Sequence, residues 1–361
     1  MDNFVVENLG PIAKADVTFG DLTILTGPQA SGKTLFLETF KLVQDLDNIV
    51  FSFIDSNYSR DKNAFLDYFY GDKMHKLFSK KFRLQSDGIG IGLLLLQIFS
   101  KNKEFKQSEY NRVFYIPAQR SLALSEGRIK TPDDFINSPY VLLKFSNYLQ
   151  KYVKINSNRL VQDIIKDYEF LNNAEINMRR TAGSPRLEMT VDNQTVPYMA
   201  WSTGQREFTP LLMALDYFDT IDNKEYIVIE EPELGLHPRA IIEFMFTVLK
   251  LMKKGVKVII STHSSTPLDF VWTMNRLKHK GVKSFAALAE MFDFKIKDKD
   301  FFDGLFEKEI KVYYFAPDKK TRKVHSKDIS SLDVESEDED ISNWGGMSLS
   351  ADRAGSIVSK F

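Results

Sequence analysis

An α/β fold, a sheet covered by helices on both faces, is what this 361-residue sequence predicts. Three observations predict it. Short apolar runs recur along the chain: Leu22-Thr23-Ile24-Leu25-Thr26, Arg112-Val113-Phe114-Tyr115-Ile116, Tyr226-Ile227-Val228-Ile229 and Val256-Lys257-Val258-Ile259-Ile260. Such runs suit strands buried on both faces, as in a parallel sheet under helices. Between them come stripes at three- and four-residue steps, Leu35, Phe36, Thr39, Phe40, Val43 and Leu46 in one and Ile241, Phe244, Val248, Leu249 and Met252 in another, which is helical periodicity. The third observation is a glycine-rich turn that joins the first run directly to the first stripe.

The elements follow in order. Two β segments, 4–7 and 15–19, lead into the run at 22–26. Residues 48–110 are rich in aromatic and charged residues with mostly helical patterning. Within them Ile89-Gly90-Ile91-Gly92-Leu93-Leu94-Leu95-Leu96, continuing to Ile98-Phe99, reads as a buried helix, since crossing a bilayer takes about 20 apolar residues. The strand at 112–116 stops at Pro117. Residues 121–175 read as helical and polar, punctuated by Pro132 and Pro139. Segments 175–180 and 187–191 alternate on either side of Thr181-Ala182-Gly183-Ser184-Pro185, a hairpin pattern. From 276 to 361 the pattern becomes an α+β extension: a helical start, a hairpin of 312–315 with 323–328, and the acidic run Asp333-Val334-Glu335-Ser336-Glu337-Asp338-Glu339-Asp340. That run is expected to be a solvated loop or a protein-docking surface. No internal repeat and no long heptad series is evident.

Composition narrows the function classes. Hydrophobic residues make up 43% and charged residues 27% of the chain, ordinary for a globular protein. A net charge of −1 excludes a uniformly basic coat, while leaving a local basic face open. The absence of cysteine excludes disulfides, thiolate metal sites and a cysteine nucleophile. Met1-Asp2-Asn3-Phe4-Val5-Val6-Glu7 shows no basic stretch followed by an apolar one, so a soluble, cytoplasmic protein is expected.

The glycine-rich turn is Gly27-Pro28-Gln29-Ala30-Ser31-Gly32-Lys33-Thr34, a full G-x-x-x-x-G-K-T phosphate loop between a strand and a helix. There the backbone N–H groups and the positive end of the helix dipole converge on phosphate oxygens. Lys33 reaches the β- and γ-phosphates and the Thr34 hydroxyl ligates Mg²⁺. A nucleoside triphosphate is therefore the expected ligand. In Ile227-Val228-Ile229-Glu230-Glu231-Pro232-Glu233 the carboxylates leave the C-terminal edge of a strand, where ligands gather in open α/β sheets. Glu230 suits Mg²⁺, directly or through water, and Glu231 suits the attacking water. Trp201-Ser202-Thr203-Gly204-Gln205-Arg206-Glu207 opens an amphipathic helix, with Ser202 also suited to capping it. Thr262-His263-Ser264 follows the last apolar run.

Phosphate loop, S-x-G-Q turn, carboxylate strand and histidine, in that order, resemble the ABC-type ATPases of the SMC and OLD kind. The stretch Glu230-Glu231-Pro232-Glu233-Leu234-Gly235-Leu236-His237-Pro238 is similar to the E-P-E-x-x-L-H-P version found in stand-alone AAA-type ATPases of that group. The likeness covers about 1–47 and 111–270. It implies a P-loop NTPase fold with an ABC-ATPase-like mixed sheet and an inserted helical region. The ATPase core would take in 1–47, 111–120 and 176–275, with helical insertions at 48–110 and 121–175 and the extension at 276–361. It also implies ATP and Mg²⁺ as ligands. Gly27, Ser31, Gly32, Lys33 and Thr34 would hold the phosphates, with Thr34, Glu230 and Gln119 at the metal. Glu231 would be the catalytic base and His263 the γ-phosphate sensor. Ser202 and Gly204, with Gln205 beside them, would meet nucleotide held by a second subunit. Two positions depart from the pattern: Gln119 lies one place further along than usual, and Glu230 stands where Asp is commoner.

The resemblance implies nucleotide-gated association, in a head-to-tail dimer or a higher homo-oligomer, which in bacterial defence systems often controls a separately encoded nuclease or toxin. Two alternatives stay open. One is a DNA-repair-like ATPase that clamps DNA through Lys278-His279-Lys280 and Arg179-Arg180; the other is a nucleotide-gated scaffold with little turnover. A nuclease with its own C-terminal TOPRIM domain is disfavoured, because the stretch after His263 is short and its acidic run does not sit at strand ends. No membrane partner is expected.

Overall fold

A computed structural model of the protein describes residues 2–347 apart from 57, 88, 91–110, 132–133, 136, 157–159, 172–173, 180–184, 222–224, 281–284 and 293–303. It contains two compact units. The first takes in Met1–Leu37, Phe78–Leu93 and Ile241–Phe361, and the second Glu38–Leu77 and Leu94–Ala240, the division falling inside the helix Lys33–Gln44. The strands, in chain order, are β1 (Asn3–Leu9), β2 (Ile12–Thr18), β3 (Leu22–Thr26), β4 (Phe78–Ser86), β5 (Ile89–Gly90), β6 (Val113–Ile116), β7 (Leu124–Ser125), β8 (Arg128–Ile129), β9 (Ala174–Arg179), β10 (Arg186–Val191), β11 (Gln194–Pro197), β12 (Tyr226–Glu230), β13 (Lys257–Thr262), β14 (Ile310–Pro317) and β15 (Val324–Asp328).

The first unit is built on a mixed sheet in the order β5-β4-β1-β2-β15-β14-β3-β13. Its N-terminal part is antiparallel, β1 pairing with both β2 and β4. β3 lies parallel between β13 and β14 and is buried at every residue, which accounts for a run of apolar residues and threonines without a charge. Phe36, from the helix after β3, packs edge-on against Phe4 and Phe315 at 5.4 and 5.6 Å between ring centroids.

In the second unit β6 and β12 pair in parallel with Ile116 opposite Ile229, and both are buried along their length. Phe114 of β6 stacks on Tyr148 at 4.3 Å and meets Phe218 edge-on at 5.2 Å, which ties the helices Tyr140–Ile155 and Thr203–Asp219 to that strand. A buried ion pair fixes the other side. Lys41 donates to the Asp45 carboxylate (2.5 Å) and the Val113 carbonyl (2.7 Å), while Asp45 accepts the backbone N–H groups of Arg112 (2.6 Å) and Val113 (3.3 Å). The small sheet β11-β10-β9 is antiparallel and contains the expected hairpin, with Arg179 opposite Arg186; residues 181–184 of its turn lie outside the described residues.

Several expectations need correction. Residues 48–110 hold the helices Leu46–Ile54 and Lys62–Tyr70, but 78–86 is strand β4, with Leu84 opposite Val6. Pairing with β1 decides that segment, whose run of exposed Ser79, Lys80 and Lys81 hides the alternation. The helix expected over 89–99 begins as β5 at Ile89–Gly90, and 91–99 lie outside the described residues. Among the described residues of 121–175 there is one long helix, Tyr140–Ile155, beside short 3₁₀ turns and the ladder β7–β8; Pro132 is outside the described residues. The hairpin β14–β15 of the expected C-terminal extension is part of the first unit's sheet, between β2 and β3. The acidic run is tied down in part. Lys327 pairs with Asp338 (2.5 Å) and Asp340 (2.7 Å), and Arg276 with Asp333 (3.6 Å).

Candidate nucleotide site

The chain leaves β3 at Thr26, turns through Gly27 (φ 142°), Ala30 (φ 60°) and Gly32 (φ 90°), and enters the helix Lys33–Gln44. Position 32 needs glycine, since a Cβ there would be strained by its backbone and lie 2.7 Å from Ile12 Cγ1. Lys33 is buried, and its ammonium donates to the carbonyls of Gly27 (2.9 Å) and Pro28 (3.1 Å) and to Ser31 Oγ (3.4 Å). Thr34 is exposed, as are Pro28, Gln29 and Ala30 at the crest of the loop. A cation held by two loop carbonyls and a hydroxyl at a helix N-terminus is placed to take an anion. In register, Thr262 of β13 faces Thr26 of β3, so His263 follows the strand end beside the one that feeds the loop. Thr262 Oγ1 accepts the Ser264 N–H (3.0 Å) just past it.

In the second unit, β12 ends at the buried Glu230, whose Oε2 accepts the Ala118 N–H at 3.4 Å. Burial, with the charge of Glu230 added, pushes the Glu38 carboxyl well above its ordinary value. Burial and the same two carboxylates raise the Tyr115 phenol likewise. The Glu230 carboxylate is a hard oxygen donor of the kind Mg²⁺ takes. Among the described residues no group of three His, Asp or Glu side chains is arranged to hold a metal alone. Glu231, partly exposed, adopts a left-handed backbone (φ 41°), and Gln119 is exposed on the turn after β6.

Ser202 caps the helix Thr203–Asp219. Its Oγ accepts the Gln205 N–H (3.2 Å), while Gln205 Oε1 accepts the Ser202 N–H (2.9 Å), a capping box. Ser202 and Thr203 are exposed. Gly204 lies against the loop after β12, where a Cβ would collide with the Gly235 carbonyl. Gln205 is thus engaged in the cap, with its amide 3.6 Å from Met189 Sδ.

The first unit brings together Gly27, Ser31, Gly32, Lys33, Thr34 and His263; the second holds Gln119, Ser202, Gly204, Gln205, Glu230 and Glu231. Of the basic clusters, Arg180 lies outside the described residues. Arg179 is paired with Glu188 (3.0 Å), and Lys278 and His279 occupy the last turn of the helix Thr266–His279, where cations complement the dipole. Sequence reasoning missed Glu38, Tyr115 and Arg120. Glu38 and Tyr115 sit inside apolar stripes where periodicity says only core, and Arg120 adjoins the glutamine that drew attention first.

Phosphate loop, carboxylate strand and capped S-T-G-Q turn define a P-loop NTPase. Residues 22–269 match the family described as "AAA domain, putative AbiEii toxin, Type IV TA system", and the chain belongs to that family. No curated protein matches it. Among solved structures it is similar to the SMC head domain from Thermotoga maritima (12% identity, 74% of this chain and 90% of that one, TM-score 0.37). It is similar, too, to an SMC head bound to the C-winged helix domain of ScpA (12%, 73% and 90%, 0.37). A third likeness is to cbiO1 from Clostridium perfringens, part of the ABC transporter complex cbiONQ (13%, 73% and 80%, 0.30). Among the described residues no helix is long and apolar enough to cross a membrane.

Proposed function

We propose that the chain is an ATPase switch, in which ATP and Mg²⁺ join two copies head to tail and hydrolysis releases them. The observation that carries this reading is the phosphate loop, whose Lys33 ammonium can exchange the Gly27 and Pro28 carbonyls for phosphate oxygens. Thr34 and Glu230, with Gln119 nearby, would hold Mg²⁺, which when bound offsets charge on the phosphates. Glu231 orients the attacking water and takes its proton, and His263 meets the γ-phosphate. Geometry and electrostatics, more than covalent chemistry, provide the rate enhancement.

Ser202 and Gly204 stand at an exposed helix N-terminus, available to a nucleotide on another copy. ATP then belongs to the interface, and its hydrolysis removes the contacts that hold the copies together. The family's description names a putative toxin of a type IV toxin–antitoxin system; the proposed output is control of a separately encoded effector, a nuclease or toxin, in bacterial defence. Light scattering with and without ATP-Mg²⁺ tests the association. Glu231→Gln is expected to give a long-lived dimer with ATP, whereas Lys33→Ala stays at monomer mass. A Glu231→Gln protein whose mass ignores ATP would contradict the proposal.

A further inference from the structure

Arg120 is fully buried, and its guanidinium joins three segments of the second unit. Nε donates to the Glu207 carbonyl (3.1 Å), Nη1 to those of Glu230 (2.7 Å) and Pro117 (3.4 Å), and Nη2 to that of Glu231 (3.1 Å). A buried cation is costly unless it is hydrogen-bonded and its charge is balanced. Here the balance comes from the carboxylates of Glu207, Glu233, Glu230 and Glu231 around it. The adjacent Ser121 strengthens the tie to the helix Thr203–Asp219, its Oγ donating to Glu207 Oε1 (2.5 Å) and its N–H to Oε2 (3.3 Å).

The other end of the tie is the residue with the most to lose from a shift. Glu231 bears a side chain on a left-handed backbone, a conformation kept only where the surroundings impose it. The carbonyl that Arg120 Nη2 takes is that of Glu231 itself. The helix also touches the same loop directly, Gly204 against Gly235. The planar fork of five donors serves all four carbonyls, from a turn, a helix and a strand end, whereas a lysine ammonium has three donors radiating from one atom and cannot serve all four.

We propose that Arg120 is a positioning residue that ties the aim of Glu231 to the placement of the Thr203–Asp219 helix. Engagement of Ser202 and Gly204 by nucleotide on another copy is thereby passed, within one chain, to the hydrolytic carboxylate. This rests on the ATPase reading above and adds to it the route by which association licenses turnover. Backbone carbonyls at both ends make the link stiff, because moving the helix moves the Glu207 carbonyl and with it the guanidinium.

The test uses the full chain. Phosphate release and binding of a fluorescent ATP analogue are measured first on the unsubstituted protein, then on Arg120→Lys, Ser202→Ala and the double variant. Arg120→Lys is expected to bind the analogue within about twofold of the parent while its kcat falls about 100-fold, the loss typical of a misplaced catalytic group. KM moves little, and Ser202→Ala lowers kcat no further in the Arg120→Lys background, because the two act in one relay. A residue that only supported the fold would show losses that multiply. The proposal is overturned if Arg120→Lys keeps kcat within about threefold of the parent, or if the two losses multiply. Should Arg120→Lys fail to fold, Ser121→Ala replaces it, leaving the buried cation in place. Its kcat is then expected to fall severalfold at unchanged affinity, again without multiplying with Ser202→Ala, and an unchanged kcat overturns the proposal. A parent that binds the analogue but releases no phosphate refutes the ATPase reading itself, and is recognised before any variant is made.

Discussion

Glu38 is a carboxyl that folding takes out of water and sets beside Glu230, and its proton affinity rises well above the ordinary 4.5 as a result. The sign of the consequence is fixed. The folded chain holds the Glu38 proton where the unfolded chain has lost it, so this residue's contribution to stability falls as pH rises above about 4.5 and keeps falling until the folded group ionises. Glu38→Gln is therefore expected to match the parent near pH 4 and to exceed it in urea-unfolding stability at pH 7–8; equal stability at both would contradict the stated cause. At this scale the sequence was legible where a motif constrains the backbone. Gly27 to Thr34 could be read because Gly32 must adopt a left-handed turn against Ile12, and because a lysine and a hydroxyl at fixed offsets name a ligand. Glu38 and Tyr115 were not legible, since their roles come from charges that only the folded chain sets beside them.

The link between the helix Lys33–Gln44 and strand β6 is the Lys41–Asp45 pair, with each side chain 1% exposed. Asp45 also accepts two backbone N–H groups of the strand, from Arg112 and Val113. Asp45→Ala leaves an ammonium and both donors buried without their acceptor, so a loss of about 3–5 kcal/mol is expected in denaturant unfolding; a loss within experimental error would show that water reaches the pair. The central strands were legible because they are buried on both faces and spell short, largely apolar runs. β4 was not, because Ser79, Lys80 and Lys81 face solvent and their charge conceals the period of two. The hairpin β14–β15 was legible as a hairpin, but its place beside β3 was not, since strand alternation carries no information about a partner so distant in sequence.

For the molecule as a whole, the capping box explains how one motif can serve both fold and function. Ser202 and Gln205 satisfy each other's backbone groups, which leaves the helix N-terminus ordered and exposed in a single copy. An ordered, exposed, positively polarised terminus is suited to an anion delivered from outside. On the proposed function one complete site needs two copies, the first contributing Lys33 and Glu231 and the second Ser202 and Gly204. Complementation measures this most directly. Lys33→Ala and Ser202→Arg chains are each expected to be inactive alone, because the first holds no nucleotide and the second offers no helix terminus to it. Mixed, they form a dimer with one composite site in which Lys33, Glu231 and the facing Ser202 are all present. ATP-dependent phosphate release is predicted to rise above that of either chain alone yet stay below the parent's, because the chain carrying that Glu231 has lost its own Ser202 and with it the relay through Arg120. If both chains are folded and the mixture stays as inactive as its parts, the site is not shared between copies and the account is contradicted.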